Sequence, residues 1–139
     1  MEINKLIHEA HQNATDKGFY GEDGKEERNL GEVIALMHSE LSEVLEEARV
    51  GHDATKVYYE CKGEILYACW HRSRFAGKTF CGNSADCKFK KPCGIPSEFA
   101  DLCIRVFDTC GQYGIDLEKA IKEKMDFNKT RPHKHGKKF

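Results

Sequence analysis

Apolar residues recur along this chain at helical rather than strand spacing. From Ile3 to Asn13 they fall at Ile3, Leu6, Ile7 and Ala10, which predicts a first helix. The next stretch, KGFYGEDGKEERN, is punctuated by glycine and reads as a loop. Asn29 is placed to cap a long second helix, with apolar positions Leu30, Val33, Ile34, Met37, Leu41, Val44, Leu45 and Ala48 and a stop near Gly51. Pro96 suits the first turn of a third helix, because the N–H it lacks has no helical partner there. Phe99, Leu102, Cys103, Val106, Phe107 and Cys110 form the apolar side of that helix, which ends near Gly111 or Gly114. Asp116 can cap a fourth helix, LEKAIKEKMDFNK, stopping before Pro132. From Tyr58 to Gly94 the chain is aromatic, basic and cysteine-rich, without clean periodicity. The expected class is therefore all-α: a single domain, residues 1–139, of four helices with an irregular insert, residues 58–94, between the second and third.

Two of these helices carry matching acid pairs. With Glu40 set at zero, Glu43 and Glu47 fall at about 300° and 340° around the second helix, beside its apolar stripe. With Glu98 at zero, Asp101 and Asp108 fall at about 300° and 280° around the third. Antiparallel packing of the two stripes brings both acid flanks to one side of the seam; parallel packing separates them. Four carboxylates in one groove repel each other unless a cation joins them. Oxygen ligands of this kind suit Mg²⁺ or Mn²⁺, and bundle interiors do build metal sites from Glu on facing helices. Acid pairs at i,i+3 are also common on solvated helix faces, so spacing by itself leaves both outcomes open.

Composition narrows the classes. The chain has 139 residues and a formal net charge of −1, which gives no global case for nucleic-acid binding. The charge is uneven: acids crowd from Glu22 to Glu60, while the ending KTRPHKHGKKF carries five Lys/Arg and no acid. No leader-like apolar segment opens the chain and no run reaches membrane-spanning length, so a cytoplasmic protein with reduced thiols and no membrane partner is expected.

The segments ELSEVLEEAR, GIPSEFADLCIRVFD and DLEKAIKEKMDFNKTRPHKHGKKF resemble the MazG-like, all-α NTP pyrophosphohydrolases, whose pattern is E-x-x-E followed by E-x-x-D. The matching residues are Glu40, Glu43, Glu98 and Asp101, and the similarity covers roughly half the chain or more. The resemblance implies a four-helix MazG-like bundle that hydrolyses a (d)NTP to (d)NMP and pyrophosphate. It implies Mg²⁺ (or Mn²⁺) held by the four carboxylates, positioning and acidifying a water for in-line attack at the α-phosphorus. One carboxylate, taken as Glu43, serves as base. Lys124, Asn128 and Arg131 match the family's polar positions on and after the last helix, where they would bind substrate phosphates. Assembly as a homodimer or homotetramer is implied as well. The chain departs from the family in the length of the connection between the motifs.

Five of the seven cysteines lie in that connection, spaced C-x₇-C-x₁₁-C-x₅-C-x₅-C. The spacing contains no C-x₂-C knuckle. A structural Zn²⁺ on a subset of Cys69, Cys81, Cys87 and Cys93, with His71 as a further donor, stands beside disulfides and free thiols as an account of them. Cys103 and Cys110 are expected to be core thiols. Trp70, Phe75, Phe80 and Phe89 alternate with Arg72, Arg74, Lys78, Lys88, Lys90 and Lys91; a small satellite core with snorkelling cations is favoured over a base- or phosphate-binding surface. His8, His11 and His38 are expected as packing or surface residues, with His133 and His135 near phosphate. Two competing functions remain: a zinc-organised nucleic-acid-binding module on a non-catalytic bundle, and a purely structural bundle with acidic faces.

Overall fold

A computed structural model of the chain describes residues 2–61 and 90–132, with all their side chains except those of Cys61 and Lys90. These residues are mostly helical. They form α1 (Ile3–Asp16), α2 (Leu30–Arg49), β1 (Tyr58–Cys61), β2 (Lys90–Cys93), α3 (Ile95–Tyr113) and α4 (Leu117–Lys129). No described helix is long and apolar enough to cross a membrane.

Local signals explain the helix ends. The Asn29 side chain accepts from the N–H of Glu32 at 3.2 Å, satisfying a donor that the first turn of α2 leaves without a helical partner. Asp116 does the same for Lys119 at 3.0 Å at the start of α4. Glu2 makes no such side-chain cap for α1. There the carboxylate of Glu118 on α4 takes over, drawing on the N–H groups of Asn4 and Ile3; these and, above all, the Lys122 ammonium hold its carboxyl below the usual range.

The segment expected to be irregular begins and ends as a two-stranded antiparallel ribbon. Tyr58 pairs with Cys93, Tyr59 with Pro92, Glu60 with Lys91 and Cys61 with Lys90. Among the described residues each strand of this pair has one edge that needs no ladder N–H, which is where a proline such as Pro92 is tolerated. β2 runs into α3 through Gly94, whose φ is +101°. A Cβ at Gly94 would lie 2.8 Å from the backbone oxygen of Lys56 and 3.3 Å from the Tyr58 ring. Gly94 thereby lets the ribbon and the start of α3 approach as closely as they do.

The chain divides into two compact units, one of Met1–Leu36 with Cys103–Phe139 and the other of Met37–Leu102. In the first, Ile7, Tyr20, Val33 and Cys110 are buried, and α1 packs on α4. Gly111 of α3 meets α1 so closely that a Cβ there would fall 2.5 Å from that of His11. In the second, Val44, Cys93 and Ile95 are buried.

Much of the apolar stripe on α2 is open. Leu30, Ile34, Leu41 and Leu45 are each more than 40 % exposed, as are Phe99 and Ile104 on α3. Cys110 is a buried thiol as expected, but Cys103 is exposed. The two lie two turns apart on nearly the same side of α3, so cover changes along the helix rather than around it.

Candidate metal centre

Within the second unit, the C-terminal turns of α2 and the N-terminal turns of α3 bring three acids together. One carboxylate oxygen from each of Glu40, Glu43 and Glu98 lies within 4.8 Å of the others. Glu40 and Glu98 are 6 % and 5 % exposed, while Glu43 is open to solvent. Among the described residues, Glu98 Oε2 is buried without a hydrogen-bond partner. A buried carboxylate oxygen left bare is costly, and a hard divalent cation is a fitting partner for it. Asp101, one turn further along α3, stands outside that mutual distance but acts electrostatically on Glu98.

The Glu98 carboxyl sits above the usual carboxylate range. Burial is the main cause; Lys91 opposes it, and the like charges of Glu43, Asp101 and Glu47 reinforce it. Glu47 is fixed in place from the far side. The Tyr58 hydroxyl donates to both its oxygens, at 3.0 and 3.2 Å, and His52 Nδ1 lies 2.6 Å from Oε2. His52 and Tyr58 themselves meet edge to face. Burial, and then the bond to Glu47, push the Tyr58 hydroxyl well above its ordinary pKa, so it stays a donor.

Asp108 shares the acid flank of α3 in the sequence, yet it serves a different cluster in the first unit. It is buried and sits 2.9 Å from His11 Nδ1, 2.7 Å from the Tyr20 hydroxyl and 3.5 Å from the Arg28 guanidinium. The Arg28 backbone oxygen accepts from Gln112 and Tyr113. Asp108 is thus a structural hub tying the loop before α2 to α1 and α3. His11 packs into that hub, while His8 and His38 are exposed.

Lys124 and Asn128 are exposed on α4, and Arg131 is exposed just beyond it; Lys124 and Arg131 both lie over the Phe127 ring. Cys93 is a buried free thiol, and burial raises its pKa. Cys69, Cys81 and Cys87 lie outside the described residues, as do His71, Trp70, Phe75, Phe80, Phe89, His133 and His135.

No family model, curated protein or solved structure matches the chain.

Spacing gave no role to Glu47, Tyr58 or His52. The spacing put Glu47 on the acid flank with Glu43, but did not give its partners there. Tyr58 and His52 carried no such signal.

Proposed function

We propose that the chain is a MazG-like, metal-dependent nucleoside triphosphate pyrophosphohydrolase, converting a (d)NTP and water to (d)NMP and pyrophosphate. The observation that carries this is the convergence of Glu40, Glu43 and Glu98, with the Glu98 Oε2 atom buried and without a hydrogen-bond partner among the described residues. Glu40, Glu43, Glu98 and Asp101 would hold Mg²⁺ or Mn²⁺. A bound cation would supply Lewis-acid stabilisation of phosphate charge and a more acidic water. Glu43, the solvent-open member of the three, is the carboxylate best placed to accept a proton from water. Glu47, held by Tyr58 and His52, acts electrostatically on Glu98 and favours a cation there. For Lys124, Asn128 and Arg131, exposed in the first unit, a role in phosphate binding rests on the resemblance alone.

Pyrophosphate release from a panel of NTPs and dNTPs, with Mg²⁺ or Mn²⁺ and with chelator, is the direct test. Metal-dependent release from one or a few nucleotides is expected. Salt-dependent oligonucleotide binding without any release would favour the binding-module alternative instead.

The open stripe on α2 supports assembly as a homodimer or homotetramer, since large contiguous apolar surfaces are uncommon on monomers. Light scattering is expected to give at least twice the monomer mass. Leu41→Lys with Leu45→Lys is expected to lower it to the monomer value. A wild-type chain that is monomeric at micromolar concentration would remove this part of the proposal.

A further inference from the structure

The ribbon at the base of the insert presents a cation to the acid cluster. Successive strand residues point to opposite faces, so Lys91 and Cys93 share one face and Pro92 takes the other. The register adds Tyr58 and Glu60 to the face of Lys91, and Tyr59 to that of Pro92. Burial tells which face is inward. Cys93 is buried and Tyr58, Glu60 and Lys91 are half-buried, whereas Tyr59 and Pro92 are exposed.

This inner face meets the acid flank through Tyr58, on the same side of the ribbon as Lys91. The Tyr58 hydroxyl binds Glu47. Two residues before Cys93, the Lys91 ammonium feels the charge of several acids at once. Burial alone would lower its pKa, but Glu98 above all, then Cys93, Asp101 and Glu43, hold it above the ordinary lysine value. In the metal-free chain, Lys91 therefore partly neutralises the charge that a cation would otherwise balance.

We propose that Lys91 is a phosphate-contacting residue of this site, supplied by the ribbon at the base of the insert, and this rests on the hydrolase function proposed above. Four carboxylates outweigh one divalent cation, so an incoming polyphosphate still meets net negative charge. Lys91 offsets that charge where the phosphates must sit. Its long stem lets the ammonium leave the carboxylates when a cation arrives and turn to the anion.

The two roles predict effects of opposite sign, which a merely structural lysine would not produce. Lys91→Met is expected to bind Mn²⁺ more tightly, by roughly tenfold, because a competing charge has gone. The same variant, saturated with Mg²⁺, is expected to bind inorganic pyrophosphate about tenfold more weakly. Lys91→Arg is expected to keep pyrophosphate binding near wild type. Electron paramagnetic resonance reads the first quantity, and titration calorimetry the second. Weaker Mn²⁺ binding in Lys91→Met, or unchanged affinity for both ions, would overturn the role of Lys91. A wild-type chain that binds Mn²⁺ and pyrophosphate but hydrolyses no nucleotide would sink the hydrolase and leave the two binding measurements to decide Lys91. A wild-type chain that takes up no Mn²⁺ overturns both.

Discussion

Glu98→Gln is expected to abolish metal-dependent pyrophosphate release while raising the thermal stability of the metal-free chain. Loss of the charge stabilisation that the proposed metal would supply, worth several kcal/mol, corresponds to a fall in turnover of about 10³-fold or more. The gain in stability follows from burial. Glu98 is 5 % exposed, with one oxygen unpartnered among the described residues and three acids acting on it. A neutral amide of the same shape removes that repulsion. Its pH dependence is equally specific. A carboxyl whose pKa is raised on folding binds a proton in the native chain that the unfolded chain has already released. The metal-free protein should therefore gain stability as pH falls from neutral toward the ordinary carboxylate range, and lose that gain as pH rises through the folded pKa. Saturating Mg²⁺ should reverse the slope, because metal and proton compete for the same oxygens. Glu98→Gln should lack both trends. Thermal unfolding across pH, with Mg²⁺ and with chelator, reads all of this. Near-normal turnover in Glu98→Gln, Glu40→Gln or Asp101→Asn would show that the carboxylate site is wrong.

The second large effect concerns folding. Asp108→Ala is expected to cost about 3–5 kcal/mol, the usual consequence of leaving a partly buried charge without its partner. Arg28, Tyr20 and His11 all converge on this carboxylate. Burial and the bond to Asp108 push the Tyr20 hydroxyl far above its ordinary pKa, so the phenol cannot adapt by ionising. Asp108→Asn keeps an acceptor for Tyr20 and should cost clearly less. Denaturant unfolding distinguishes the two, and turnover per folded molecule should change far less than in Glu98→Gln. A loss below about 1 kcal/mol in Asp108→Ala would mean that this hub does not hold the loop.

Helix limits were legible because they are written locally. Asn29 and Asp116 cap the first turns they precede, and Gly114 at φ +62° follows the last residue of α3. The angular position of each acid around its helix was legible for the same reason, since it depends only on residue spacing. The ribbon was not. KKPC has little strand propensity, and its partner YYEC lies far away in the chain, so the pairing is stabilised by contacts that no local window contains. Cys103 failed in a related way: its side of the helix was readable, but the cover above it was not.

By itself, then, the sequence determined which side chains share a flank, because periodicity sets rotation about a helix axis. Height along the seam, depth below the surface and the choice of partner belong to the tertiary structure. Glu98 and Asp108 lie within one flank of α3, yet one joins Glu40 and Glu43 while the other receives His11, Tyr20 and Arg28. Glu40 and Glu43 are one turn apart, yet one is buried and the other open. Lys91 belongs to a basic run that could have served many ends, and only the turn at Gly94 and the strand register give it Glu98, Asp101 and Glu43 as neighbours. Each of these outcomes depends on packing between segments distant in the chain, where desolvation and charge act through space rather than along the sequence.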